Sequence, residues 1–175
     1  ATLASERYQL QRRLTQSNLL YDVSRVISSS LEIDDVLTFT TKVAANALGA
    51  EGSALLLVDQ ETNEVAFVIV HGEIAFPWRG QRAPLGHDVI GLVVRSGQPQ
   101  IVNQINFQTI FASPGDDGSR PKLHTMLCAP LLVKEETLGV LLVLNREGAP
   151  GFSAEDLDWL TAFAGQASVA IENAR

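Results

Sequence analysis

Few side chains in this sequence can carry out covalent or acid–base chemistry, and their spacing limits what it would be. Cys128 is the only cysteine, so the chain has no internal disulfide and no Cys-x-x-Cys metal or redox pair. A thiol–disulfide catalytic cycle needs a resolving partner, which this chain lacks. The three histidines, His71, His87 and His124, are scattered and sit in no Ser-His-Asp order with local motif support. Asp88, Asp116 and Asp117 can accept hydrogen bonds from a ligand, although solvated loop carboxylates are the commoner fate. The inventory points to binding, with no enzyme activity, no cofactor and no metal expected.

The residues suited to binding fall in three places. His71 ends an apolar run beside Gly72, and Phe76 and Trp78 follow closely. Phe107, Ile110 and Phe111 precede residues 112–122, ASPGDDGSRPK, which have a loop composition. Strand alternation puts His124, Met126 and Cys128 on one face and Thr125, Leu127 and Ala129 on the other. Aromatic and aliphatic walls with a few polar groups are what small-molecule pockets use. The candidates for a ligand-facing set are His71, Phe76, Trp78, Asp88, Ile90, Phe107, Phe111, His124, Met126 and Cys128, with the choice of strand face for the last three resting on the resemblance given below. The plainer reading is that these residues fill a core or a loop's own small cluster.

Elements that would hold them can be read from the pattern. With 175 residues, 46% hydrophobic and 19% charged, the chain suits one globular domain. A formal net charge of −7 disfavours nucleic-acid or anionic-membrane binding through a general positive field. Charged, Gly or Pro residues interrupt every apolar run before it reaches spanning length. No charged-then-apolar leader opens the chain, which begins at Ala1 and ends mid-pattern. It is expected to be a piece of a longer cytoplasmic protein.

Residues 1–29 contain no Gly or Pro and predict a helix. Ser28-Ser29-Ser30 predicts a break, with a second helix starting near Asp34 and stopping at Gly49. Two strands, 53–59 and 64–71, are expected as a hairpin. Residues 76–84 read as loop, 88–96 as a short helix ending at Gly97, and 100–103 as a short strand. Strands are expected over 125–133 and 138–145. A last helix starts at Ser153, where Ser153 and Asp156 make a capping-box pattern. Both faces of the strands are apolar, which requires a sheet covered on both sides. The last helix is apolar nearly all round, so it is expected to pack on more than one surface.

Four stretches in this order carry a family resemblance: SSSLEIDDVL (28–37), LGHDVIGLVVRSGQP (85–99), LCAPLLVKEETLGVLLVLN (127–145) and FSAEDLDWLTAFAGQASVAIENA (152–174). Together they resemble a GAF domain over about residues 20–175. The resemblance implies an α+β, PAS-like fold with a central antiparallel sheet. Helices from the chain ends would cover one face, and loops and short helices would close a ligand pocket over the other. It divides the chain into an N-terminal signalling helix (1–29), a core (30–152) and a C-terminal helix (153–175) packed with the first. By the same resemblance, the face carrying Met126 and Cys128 looks into the pocket.

The implied function is a non-catalytic, small-molecule-sensing domain of a larger signalling protein, such as a histidine kinase, nucleotide cyclase or transcription activator. The flanking helices would relay the pocket's state to an output domain in the same chain. A homodimer is expected through those helices, with Leu10, Leu14, Tyr21, Phe163 and Val169 at the interface. The alternatives are a dimerisation module with a vestigial pocket and a cyclic-nucleotide-binding domain. GAF domains that bind cyclic nucleotides often carry Asn-Lys, a gap, Phe, three residues, then Asp-Glu. Asn145, Phe152 and Asp156 match that pattern, while Arg146 replaces Lys and Leu157 replaces Glu. Those four residues are read either as a structural clasp joining the last strand to the last helix or as a remnant of cyclic-nucleotide sensing.

Overall fold

The structure is a computed structural model, and it describes residues 2–105, 123–146, 148 and 151–174, without the side chains of 2 and 15–31. The chain opens with one helix, α1 (Thr2–Ala47), of 46 residues. The break expected at Ser28–Ser30, and the helix start expected near Asp34, are not found. The reason is thermodynamic: serine costs only about 0.5 kcal/mol in a helix, and nothing between Thr2 and Ala47 is Gly or Pro. At 1.5 Å per residue the helix is about 70 Å long, and Gly49, with φ +62°, ends its last turn.

Six strands form one antiparallel sheet in the order β3-β2-β1-β6-β5-β4. The hairpin partners are β1 (Ala50–Asp59) and β2 (Glu64–His71), with Ser53 opposite His71. β3 (Arg82–Pro84) extends the edge within a stretch expected to be loop. The same stretch also holds a 3-10 turn, Phe76–Trp78. Helix α2 (Val89–Ser96) follows, then β4 (Gln100–Val102). The second hairpin is β5 (Met126–Val133) and β6 (Glu136–Arg146), and α3 (Ala154–Ala174) ends the fold. In the middle of the sheet Gly139 lies against the Leu56 carbonyl, where a side chain would collide with backbone.

The strands' alternation separates two cores. Leu55, Leu127, Ala129, Leu131, Leu141 and Val143 meet Leu37, Ala44 and Leu48 of α1 and Leu160, Ala164 and Ala167 of α3 on one face. Ser53 adds a buried polar tie on that face, its hydroxyl donating to the Thr41 carbonyl of α1 at 2.6 Å. On the opposite face, Ala54, Leu56, Phe67, Met126, Cys128, Val140, Leu142 and Leu144 meet Ile74, Ala75, Trp78, Ile90 and Val93. The terminal helices therefore cover one face, and the 3-10 turn and α2 cover the other.

Ala50 pairs with Arg146, so the end of α1 and the start of α3 lie at the same end of the sheet. Little of the N-terminal part of α1 touches the core. Leu3, Tyr8, Leu10 and Leu14 are exposed on it.

Candidate functional site

The pocket face of the sheet is built from carbon and sulfur. Strand register places Ala54 opposite Leu142, Leu142 opposite Cys128, and Leu144 opposite Met126, giving a continuous apolar wall across three strands. Against it lie Phe67 and Trp78, with ring centroids 6.4 Å apart and planes 24° from parallel. A small cavity of about 10 Å³ is lined by Ala54, Phe67, Ala75, Trp78, Leu123, Leu142 and Leu144. That is room for one water at most. Among the described residues, no buried side-chain nitrogen or oxygen lacks a hydrogen-bond partner.

Polar groups stand at the margin. Asp88 is half-buried and caps α2, its Oδ1 accepting from the Gly91 N–H at 2.8 Å. Burial pushes its carboxyl above the ordinary range, and the Gly91 N–H opposes that shift. Gly97, left-handed at φ +67°, closes the same helix by donating its N–H to the Val93 carbonyl. Burial also raises the Cys128 thiol far above its usual range, and the nearby Asp88 charge adds to the effect. A thiol in that state is neutral and inert.

The residues expected to face a ligand divide accordingly. Trp78 lines the cavity, and Ile90, Met126 and Cys128 lie in the same core. His71 and Asp88 are half-buried, and His124 and Phe76 are exposed. Phe107 and Phe111, like Ile110, Asp116 and Asp117, lie outside the described residues. Ala54, Phe67, Ala75, Leu123, Leu142 and Leu144 also line the cavity but were not singled out from the sequence. Extending the Met126–Cys128 alternation across the strand pairing would have found Leu142, Leu144 and Ala54.

A second cluster joins the sheet to α3. Asn145 is buried in the left-handed region at φ +56°, a conformation asparagine tolerates. Its Oδ1 accepts from the backbone N–H groups of His124 and Thr125, at 2.6 and 3.2 Å. Its Nδ2 donates to Glu51 Oε2 at 2.9 Å. Arg146 pairs with Asp156 and also donates to the Gly151 carbonyl. Ser153 and Asp156 make the reciprocal capping box, with the Ser153 N–H donating to Oδ2 and the Asp156 N–H to Oγ.

Asn103, at the end of β4, adds a two-point grip: its Oδ1 accepts from the Phe152 N–H and its Nδ2 donates to the Phe152 carbonyl. Gly151 lies so close to the Asn103 amide that a side chain there would overlap it. The ring of Phe152 is buried in the helix-side core. Asn145, Arg146, Phe152 and Asp156 thus come together, with Glu51, Asn103 and Thr125 as partners that no motif marked. None of them lines the cavity, although each strand alternates between the two sites: Leu144 faces the cavity and Asn145 the clasp.

Of the expected interface residues, Leu10 and Leu14 are 59% and 56% exposed, and Val169 is also exposed. Phe163 is half-buried, packing on the helix-side core and tilted against the exposed Trp159. The side chain of Tyr21 lies outside the described residues. Among the described residues, no group of His, Cys, Asp or Glu could hold a metal ion, and no helix is long and apolar enough to cross a membrane.

Several known proteins share this sequence pattern and architecture. The chain is 25% identical over 175 residues to a probable 3',5'-cyclic phosphodiesterase, pde-5, of Caenorhabditis elegans, covering 94% of this chain and 24% of that protein. It therefore spans about a quarter of that relative. Among solved structures, residues 122 to 287 of a methyl-accepting chemotaxis protein are 27% identical, with a TM-score of 0.70 over 87% of this chain and 96% of that one. The GAF-B domain of DevS from Mycobacterium smegmatis is 25% identical, with a TM-score of 0.64 over 81% of this chain and 94% of that one. A family model described as GAF domain matches residues 30–172, which with the two-faced antiparallel sheet places this chain in the GAF domain family.

Proposed function

We propose that this domain is a non-catalytic sensor of a small molecule within a larger signalling protein, and that it passes the state of its pocket to flanking domains through α1 and α3. The observation that carries this is the separation of two cores by a single sheet. Each strand presents alternate side chains to the pocket face and to the helix face. A change in packing on one face therefore shifts strands that the terminal helices rest on. The buried thiol and the lack of unpartnered buried polar side chains among the described residues favour binding over catalysis.

Filling the cavity tests the relay. Ala54→Val adds two methyl groups to the pocket wall. Amide exchange in residues 37–48 of α1 and 157–171 of α3 is expected to change severalfold, across the sheet from the substitution. A change confined to the pocket-side strands and α2 would refute the relay.

Exposed leucines favour a homodimer as the second element of this reading. Leu3, Leu10 and Leu14 are all more than half exposed on the N-terminal part of α1. Leu10→Glu with Leu14→Glu is expected to shift the sedimentation equilibrium from dimer to monomer. A parent domain already monomeric at high micromolar concentration would dispose of the dimer. The phosphodiesterase relative and the partial clasp motif are the grounds for testing cyclic nucleotides as ligands.

A further inference from the structure

We infer that the pocket takes a flat, uncharged, predominantly apolar ligand of one or two rings, seated where the indole of Trp78 now lies, and that cyclic nucleotides are excluded. This deepens the sensor reading and rests on it. Among the described residues, the wall supplied by the sheet and the 3-10 turn carries no side-chain oxygen and no charged group. Its buried side chains are hydrocarbon apart from the sulfurs of Met126 and Cys128 and the indole N–H of Trp78. A ligand carrying a phosphate would lose its hydration there with no cation on that wall among the described residues in exchange, which costs several kcal/mol. The natural anion site, the start of α2, is already taken by the Asp88 carboxylate, which would repel a phosphate. The nearest helix cation, Arg95, donates to the Gly86 carbonyl.

Space for the ligand comes from one segment. The cavity holds no more than a water, so a ligand must displace part of the wall. The strands cannot yield without breaking sheet hydrogen bonds. Residues 73–79 can, because they are bounded by two left-handed glycines, Gly72 at φ +90° and Gly80 at φ +73°. Ala75 and Trp78 come from this segment, and Trp78 stacks on Phe67 of β2. Lifting the segment leaves a slot floored by Phe67, Leu142 and Ala54, with the width of the ring that left it.

Trp78 is buried and Trp159 is exposed on the other side of the sheet, so Trp159→Phe leaves a single fluorescent reporter inside the pocket. Toluene, which does not absorb at the excitation wavelength of tryptophan, is the apolar probe, and cAMP and cGMP are the charged ones. Toluene is expected to change Trp78 emission saturably. At ten times its dissociation constant it should raise the unfolding temperature by roughly 3–6 °C. Neither cyclic nucleotide should do either, and Ala54→Val, which fills the slot, should abolish the toluene response while still unfolding cooperatively. A cyclic-nucleotide response without a toluene response overturns the ligand class and leaves the sensor reading standing. Silence from every probe, or a toluene response that persists in Ala54→Val, overturns the assignment of this slot. The relay itself is judged separately, by amide exchange across the sheet.

Discussion

Replacing Asn145 by Ala removes the hub of the clasp, and the cost can be worked from its bonds. Two backbone donors, His124 N–H and Thr125 N–H, lose their acceptor, and Glu51 loses its donor. Thr125 is buried, so its N–H is left unsatisfied at about 1–3 kcal/mol. His124 and Glu51 are exposed and regain water, adding about 1 kcal/mol together. Alanine at φ +56° adds about 1 kcal/mol more. The sum is about 3–5 kcal/mol, read as a fall in the urea midpoint with unchanged slope. A paired exchange isolates one arm. Asn145→Asp keeps the acceptor but sets a carboxylate against Glu51, at a cost of about 2 kcal/mol, and adding Glu51→Gln restores a donor–acceptor pair in the opposite sense. At least about 1 kcal/mol of that loss should return. A loss below about 1 kcal/mol for Asn145→Ala, with additive behaviour of Asn145→Asp and Glu51→Gln within about 0.5 kcal/mol, would refute the clasp as a set of coupled bonds.

The remaining expectations concern single sites. Ser153→Ala should cost about 1 kcal/mol and speed amide exchange in the first turn of α3 ahead of its centre, because half of the capping box is lost; exchange unchanged there would count against it. Asp88 has a folded-state pKa raised by burial, so its ionisation favours the unfolded chain and its contribution to stability declines as pH rises above the ordinary carboxylate range. Asp88→Asn keeps the cap and drops the charge, so it should gain on the parent between pH 4 and pH 7 in urea midpoints, whereas Asp88→Ala should lose about 1 kcal/mol; a parent that gains on Asp88→Asn as pH rises would reverse the assignment. Cys128 should react with a disulfide reagent at pH 8 only as fast as the domain opens, and reaction at the rate of a free thiol would show that the pocket core is not closed.

The sequence made the two-faced sheet legible because strand alternation has a period of two and both sets of residues are apolar. From Met126, Leu127, Cys128 and Ala129 alone, the pocket core and the helix core can be told apart. Helix α1 was misread because three serines look like a break, yet serine disfavours helix too weakly to stop one that has no Gly or Pro. β3 and the 3-10 turn were missed because three-residue elements carry no periodicity, and Pro77 and Pro84 mark turns as readily as edges. The wall residues Leu142, Leu144 and Ala54 depend on register between strands distant in sequence, which no local pattern encodes. Asn103 and Glu51 were illegible for a related reason. Their partners, Phe152 and Asn145, are 49 and 94 residues away, and exposed-looking Asn and Glu are common anywhere.

The two departures from the cyclic-nucleotide pattern acquire a physical reading from the same contacts. Arg146 keeps the charge of the expected lysine, and its Nη1 alone donates to both Asp156 and the Gly151 carbonyl. Leu157, in place of the expected acid, is half-buried and packs on the helix-side core with Leu160 and Phe152. A carboxylate there would meet hydrocarbon, so the substitution exchanges a charge for packing on the face away from the pocket. Both residues lie in the join between β6 and α3, and neither is in the cavity wall, which none of the clasp residues reaches. The motif's remnant therefore speaks to how firmly α3 is held to the sheet. The cavity is lined by a different set of residues, one position over on β6, where Leu144 and Leu142 present hydrocarbon to the same space as Trp78.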